Sequence, residues 1–445
     1  MKINFIKNLC FVLAGLMTLS LVACGPASTI TNIIEITATP KPTPNSYIGE
    51  IEFVTKKSTD EKDMSNDSFI QQYNLFYPDV KVKLTEYSAE EYYTKLNERL
   101  NSNTPPDVFW IEDNKISEYV ASQKIVDLTK YWEGLRDYSD GSFIKPEVLF
   151  PAAFDAAKKD GKLYIGPIEY ERRFILMNVS MFNKKSITLP NDRWVMEDFK
   201  KATEALSSDK ITTGAIMDYY DYAVWGSFAR GYGGSFYDQT TKTVNLTDEK
   251  VMKGLSELAE LVKSGAVKKI DAKSIDVANS GMILAKRSDL NKWLDILTPT
   301  EGSSTIDWEL IQLPKFDVKS VGANTSGFAV SSKSESIDIA ASFAMYTLTN
   351  KGETAVVGDG ERVPSLKAVA KEKFWREKPV AGKNTSALEM YAETADFSAV
   401  LTSVFPENLA LELSIGAAID SYVRGEQTLN QALLSIQDKA NAAWK

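Results

Sequence analysis

The chain contains no histidine in its 445 residues. That removes the Ser-His-Asp triad, the Cys-His pair and every histidine-based zinc site. Cysteine is nearly absent too: there are two, Cys10 and Cys24. If the segment holding Cys10 is removed as a leader, one thiol is left and no intrachain disulfide can form, so a folded core must hold the chain together. There is no basic excess. The formal charge is −9, and without a basic stripe a chain this acidic is not expected to track nucleic acid. Long apolar runs are lacking beyond the first residues. Carboxylate-pair chemistry survives these absences, because it needs only Asp and Glu.

The informative segment is the start. Lys2 and Lys7 form a positive n-region, and Leu9 to Leu19 an apolar stretch too short for a comfortable membrane span. It ends in Leu21-Val22-Ala23-Cys24. This resembles a bacterial lipobox, in which residues 1–23 are a signal peptide and Cys24 is lipidated. Gly25 to Ser46 is rich in Thr, Pro, Ala and Asn, with Pro40-Lys41-Pro42-Thr43-Pro44 near its end. It cannot bury enough apolar surface to fold, so residues 24–47 read as a disordered tether.

About 420 residues remain after the leader, more than one small core holds, which points to two domains. Glu50 to Val54 reads as a strand. Phe69, Tyr73 and Phe76 recur at helical spacing up to Pro78, and Val80, Val82 and Leu84 alternate with polar residues as a strand does. Ser88-Ala89-Glu90-Glu91 is a capping box opening a helix through Tyr92, Leu96 and Leu100, and Val108 to Ile111 is a short buried strand. Strand, helix, strand, helix, strand begins a doubly wound α/β sheet. A second such unit follows. Its strands are expected at Arg173–Asn178, Ile211–Met217, Met282–Ala285 and Glu309–Leu313, and its helices at Asp192–Leu206 and Tyr220–Arg230. A further helix is capped by Thr247. Thr325 to Ser331 reads as a strand with Ile337 to Thr349 a helix behind it, and Glu407–Val423 and Thr428–Ala442 as closing helices.

These residues, in this order, resemble the extracellular solute-binding proteins of ABC importers, in the group that includes maltose-binding protein. The resemblance is carried by Tyr77-Pro78-Asp79-Val80, by Pro106-Asp107-Val108-Phe109-Trp110, and by Gly161-Lys162-Leu163-Tyr164 with Leu176-Met177-Asn178. Gly327-Phe328-Ala329-Val330, Gly360-Glu361-Arg362-Val363-Pro364 and Gly425-Glu426-Gln427-Thr428 extend it. It implies a two-lobed periplasmic-binding-protein fold of type II, each lobe a doubly wound sheet flanked by helices, with the ligand cleft between lobes. Lobe one is expected over 48–170 with 316–363, and lobe two over 171–315 with 364–445. It also implies a carbohydrate ligand, permease subunits as partners, a monomer anchored to the membrane through Cys24, no cofactor, no metal and no catalysis.

Ligands of open α/β sheets sit beyond the carboxyl ends of the strands. Trp110 lies near such an end, followed by Glu112 and Asp113. A flat ring can stack on the C–H face of a pyranose, and carboxylates can take paired hydrogen bonds from hydroxyls. The resemblance places binding residues at Trp110, Asp113 and Glu171. Tyr170 and Arg172 flank Glu171 in a polar stretch, and Asp221, Tyr222 and Trp225 open an aromatic helix. Arg362 follows a Gly-rich loop. Where maltose-binding relatives have a glycine and tryptophans, the chain has Ala285-Lys286-Arg287-Ser288-Asp289, with Trp293 later. The sugar preference therefore does not carry over, and a charged or smaller sugar enters the candidates. The competing readings are a secreted glycoside hydrolase using two of Glu112, Asp113, Glu169 and Glu171, and a sugar sensor without a permease.

Overall fold

The computed structural model describes residues 47–57, 65–137, 141–191, 193–209, 211–238, 240–270, 276, 279–286, 306–318, 320–358, 362–372, 398–400 and 411–444. The leader, Cys24 and the tether up to Ser46 lie outside these residues. So do Asp192, Arg287 to Asp289, Trp293, Asp359 to Glu361 and Glu407. Among the described residues no helix is long and apolar enough to cross a membrane.

The strands of the two main sheets are, in chain order, β1 (Gly49–Lys56), β2 (Val80–Tyr87), β3 (Val108–Glu112), β4 (Gly166–Arg172), β5 (Phe174–Asn178), β6 (Thr213–Met217), β7 (Val267–Lys269), β8 (Ser280–Ala285), β9 (Trp308–Ile311), β10 (Ser320–Val330) and β11 (Ser398–Val400). In the first sheet β1 lies between β2 and β3 and runs parallel to both, with Phe53 opposite Leu84 and Val108. β10 pairs antiparallel with β3 and with β4, and parallel with β11. The parallel start expected from the sequence is therefore closed by antiparallel strands.

The helices Ser65–Phe76 and Ile337–Tyr346 cover this sheet through aromatic contacts. Phe343 meets Phe53 at 5.3 Å between ring centroids, and Phe69 meets Phe328 edge-on at 5.3 Å. Of the capping box expected at Ser88 and Glu91, one half forms: the Glu91 amide donates to the Ser88 hydroxyl at 3.3 Å. The Glu91 carboxylate instead accepts from that hydroxyl at 3.2 Å, and the helix Tyr92–Asn101 has Glu91 at its N-cap without a side-chain cap.

The second sheet has the order β7-β6-β8-β5-β9, parallel across β7, β6 and β8 and antiparallel at β5 and β9. Its core gathers Trp225, Phe236, Phe199, Leu255 and Leu258. The helix Glu249–Lys263 is capped by Asp248, whose carboxylate accepts from the amides of Lys250 and Val251 at 3.0 and 3.1 Å. This corrects the expected cap at Thr247, whose hydroxyl donates instead to Gln437 at 3.1 Å. Asp outcompetes Thr there because its charge also complements the helix N-terminus. The closing helix Leu429–Ala443 begins with a capping box of Thr428 and Gln431.

The helices Tyr222–Gly231 and Glu249–Lys263 approach closely because Gly254 faces the backbone of Phe228. A Cβ at Gly254 would overlap the Phe228 carbonyl. Gly254→Ala should force the helices apart and cost about 1–3 kcal/mol, the usual cost of overpacking. Urea unfolding checks this, and an unchanged midpoint would mean the helices tolerate the methyl group.

The chain steps from one sheet to the other at a single residue. β4 ends at Arg172, β5 begins at Phe174, and Arg173 lies between them. The structure thus has two sheets and two main buried clusters, the first of which also takes in Phe174, Leu176, Ile216 and Ile283 of the second sheet. The strands of both sheets present ends to one shared hollow.

Candidate functional site

That hollow has a volume of about 390 Å³. β3 contributes Trp110 and Glu112 at its carboxyl end, with Asp113 and Asn114 in the turn that follows. β4 contributes Glu169 and Glu171, two residues apart and so on the same face. Arg173 sits at the step between sheets. Asp221 stands at the N-terminus of the helix Tyr222–Gly231, Lys286 just past β8, and Asn324, Thr325 and Ser326 on β10. Lys56 at the end of β1 and Arg362 complete the wall. Two larger hollows, of about 520 and 900 Å³, take no residue from the first sheet; the larger opens beside Asn178, Thr212 and Asn279 at the opposite ends of the second sheet's strands. The smallest of the three is the site that both sheets converge on, where small-molecule sites generally form.

The wall is charged, and most of its charge is paired. Lys286 meets Glu171 at 3.1 Å and Lys56 meets Glu112 at 3.6 Å. Arg173 donates to the Asp221 carboxylate through Nη2 and, at 3.1 Å, through Nε. Burial pushes the Asp221 carboxyl up, but Arg173 and the amide of Ala223 outweigh it and hold the carboxyl below its ordinary value. Glu169 goes the other way. Burial and then the neighbouring Glu171 charge raise it, against the pull of Arg362 and the Ser326 hydroxyl that donates to it. Ser326 also accepts from the Trp110 indole N–H at 3.0 Å. The ring face of Trp110 is covered by the Lys56 ammonium, 4.0 Å from its centroid.

Of the residues singled out in the sequence, Trp110, Glu112, Asp113, Glu171, Asp221 and Arg362 are brought together here. Tyr170 and Arg172 are not in the wall. Strand alternation turns them to the other face of β4, where Tyr170 stacks on Phe150 at 5.5 Å and Arg172 is buried. Tyr222 and Trp225 lie inside the second core, edge to face at 4.9 Å. Asp221 caps their helix at the hollow's mouth, and the following turn carries the rings inward.

Lys56, Arg173, Asn324, Thr325 and Ser326 were not singled out. Applying the strand-end rule to β1 as well as β3 would have found Lys56. The β10 residues carried no signal, because that strand reads as an ordinary core strand until its partners are known.

A two-lobed α/β protein with a polar hollow at the ends of both sheets belongs to the class of solute-binding proteins. The model of the family described as bacterial extracellular solute-binding protein matches residues 68–382, and the chain belongs to that family. Among solved structures it is similar to an ABC substrate-binding protein of Listeria monocytogenes in complex with cycloalternan, with 17% identity and a TM-score of 0.69 over 89% of this chain and 99% of that one. It is similar to the sugar-binding protein MalE of Xanthomonas citri, with 13% identity and a TM-score of 0.73 over 89% and 97%. The cyclic alpha-maltosyl-1,6-maltose binding protein of Arthrobacter globiformis gives 16% identity and a TM-score of 0.69 over 90% and 100%. At these identities the likeness is one of fold. No curated protein sequence matches the chain.

Proposed function

We propose that the protein is the capture component of an ABC importer, that its ligand is a carbohydrate, and that Cys24 carries the lipid that keeps it beside its permease. The observation that carries the reading is the indole of Trp110 set beside Glu112, Asp113, Glu169 and Glu171 at the strand ends. A ring for the C–H face and carboxylates for hydroxyls are what a sugar site needs. The sugar-binding neighbours support it. A hollow near the small end of ligand pockets, about 300–1,000 Å³, suits a mono- or short oligosaccharide. The lobes close over it about the crossing strands, and anchoring raises the local concentration at the permease without any new contact.

The test is a thermal-shift panel on the purified protein, using monosaccharides, maltose, maltotetraose and cyclic glucans, with peptides and polyamines as the contrast. A sugar that binds the folded state raises the melting point with concentration. Trp110→Ala should weaken that binding at least about tenfold, or 1.4 kcal/mol, while the protein stays folded. Shifts from peptides or polyamines alone would sink the carbohydrate reading.

One observation favours a second reading, glycoside hydrolysis. Glu169 is raised by burial while Glu171 pairs with Lys286, a division of environments such as an acid and its partner carboxylate have. Product release from maltotetraose that is lost in Glu171→Gln would favour it over capture.

A further inference from the structure

We propose that Lys56 is an internal occupant of the stacking face of Trp110, held there by Glu112, and that a sugar binds only by displacing it. The inference rests on the carbohydrate reading for its ligand, but its first observable needs none.

The Lys56 ammonium lies 4.0 Å from the centroid of Trp110, 5.4 Å from that of Tyr93 and 5.9 Å from that of Tyr92. Glu112 closes the cage at 3.6 Å and is fixed by Tyr93, whose hydroxyl donates to it at 3.2 Å. The indole is fixed as well: its N–H donates to Ser326, and Tyr92 abuts it edge to face at 5.8 Å. Three rings and a carboxylate around one ammonium form the arrangement that receives cationic ligands. Here the cation belongs to the chain. A pyranose cannot lie on the indole while the ammonium does, so ligand entry carries the cost of breaking the cation–π contact and the ion pair. Lys56 is also only partly exposed, so water weakens the contact less than at an open surface. Lys56 therefore sets the affinity threshold of the site, favouring ligands whose stacking and hydrogen bonds outcompete an ammonium.

The experiment compares wild type with Lys56→Ala, which empties the cage, and Lys56→Arg, which refills it with a cation. Each is also made with Trp110→Phe, so that the Trp110 signal is obtained by difference. Without ligand, acrylamide quenching of Trp110 should rise in Lys56→Ala and stay near wild type in Lys56→Arg. With maltotetraose, or the tightest sugar of the panel, Lys56→Ala should bind about two- to thirtyfold more tightly. Unchanged quenching in Lys56→Ala would overturn the inference. So would weaker sugar binding, which would make Lys56 a ligand contact. Sugar binding that appears only in Lys56→Ala would support it. If neither protein binds any sugar, the carbohydrate reading fails, and the quenching result alone decides whether Lys56 covers the ring.

Discussion

Replacing Glu353 by alanine should cost about 3–9 kcal/mol of stability, from three backbone or hydroxyl donors left without their acceptor at about 1–3 kcal/mol each. Glu353 is fully buried in the helix Asn350–Val357. Its carboxylate accepts from the Ser365 amide at 2.6 Å, from the Leu366 amide at 2.8 and 3.1 Å, and from the Ser365 hydroxyl. These bonds fasten residues 365–366 to the helix Asn350–Val357. Tyr170 donates to Val363 and Phe150 to Ser365 along the stretch 363–366. Arg362, in the wall of the hollow, immediately precedes it, so this carboxylate also positions a site residue. Against a typical total of about 5–15 kcal/mol, the loss is large enough to read directly from urea unfolding.

The same group gives a pH signature. Burial pushes the Glu353 carboxyl up to about 8, against the pull of the Ser365 and Leu366 donors. Between its ordinary value of 4.5 and about 8 the folded protein keeps a proton that the unfolded chain releases. Its contribution is therefore fully present below 4.5 and is lost as pH rises through about 8, at up to about 1.4 kcal/mol per unit. Glu353→Gln, which cannot titrate, should remove its share of that slope and leave the part due to Glu169, which burial also raises. An alanine variant with wild-type stability, or a slope as steep in Glu353→Gln as in wild type, would refute the assignment.

Much of the fold was legible because its signals are local. β2 shows alternation, and the helix Ser65–Phe76 shows its Phe69 and Tyr73 at helical spacing before Pro78 stops it. The antiparallel return of β10 onto β3 and β4 was not legible. It is a long-range pairing, and Thr325 to Ser331 carries no mark of its partners. The hollow divides the same way. Trp110 with its following acids could be found from the strand-end rule alone. The polar run Tyr170-Glu171-Arg172 looked like one cluster, but strand alternation keeps Glu171 on the hollow's face and turns its neighbours away. The aromatic run after Asp221 was ambiguous for the helical reason: only the cap lies at the mouth. Which cation would cover Trp110 depended on the three-dimensional neighbourhood of β1, and no motif records that.

Asp221→Ala should be comparably damaging, at about 3–5 kcal/mol for depriving a buried guanidinium of its carboxylate and about 1 kcal/mol more for the lost cap. Arg173 is the residue at which the chain steps between sheets, and its side chain is 5% exposed. The Asp221 carboxylate holds it while also accepting the Ala223 amide at 2.9 Å. One side chain thus joins the helix start to the crossing strand and to the wall of the hollow. Asp221→Asn keeps a capping oxygen and should recover the cap but not the ion pair, so its loss should fall between wild type and alanine. The pH dependence has the opposite sign to that of Glu353. The Asp221 carboxyl is held below its ordinary 3.8, so its contribution is present above 3.8 and is lost as acid protonates it through its lower folded value. The two groups together place the stability maximum on the weakly acidic side of neutrality, with Glu353 eroding it from above and Asp221 from below. Unfolding by urea from pH 3 to pH 8 tests this directly. Asp221→Asn should flatten only the acid limb, and Glu353→Gln should reduce only the fall between pH 4.5 and about 8. An acid limb unchanged in Asp221→Asn would show that the ion pair with Arg173 contributes nothing net to the fold.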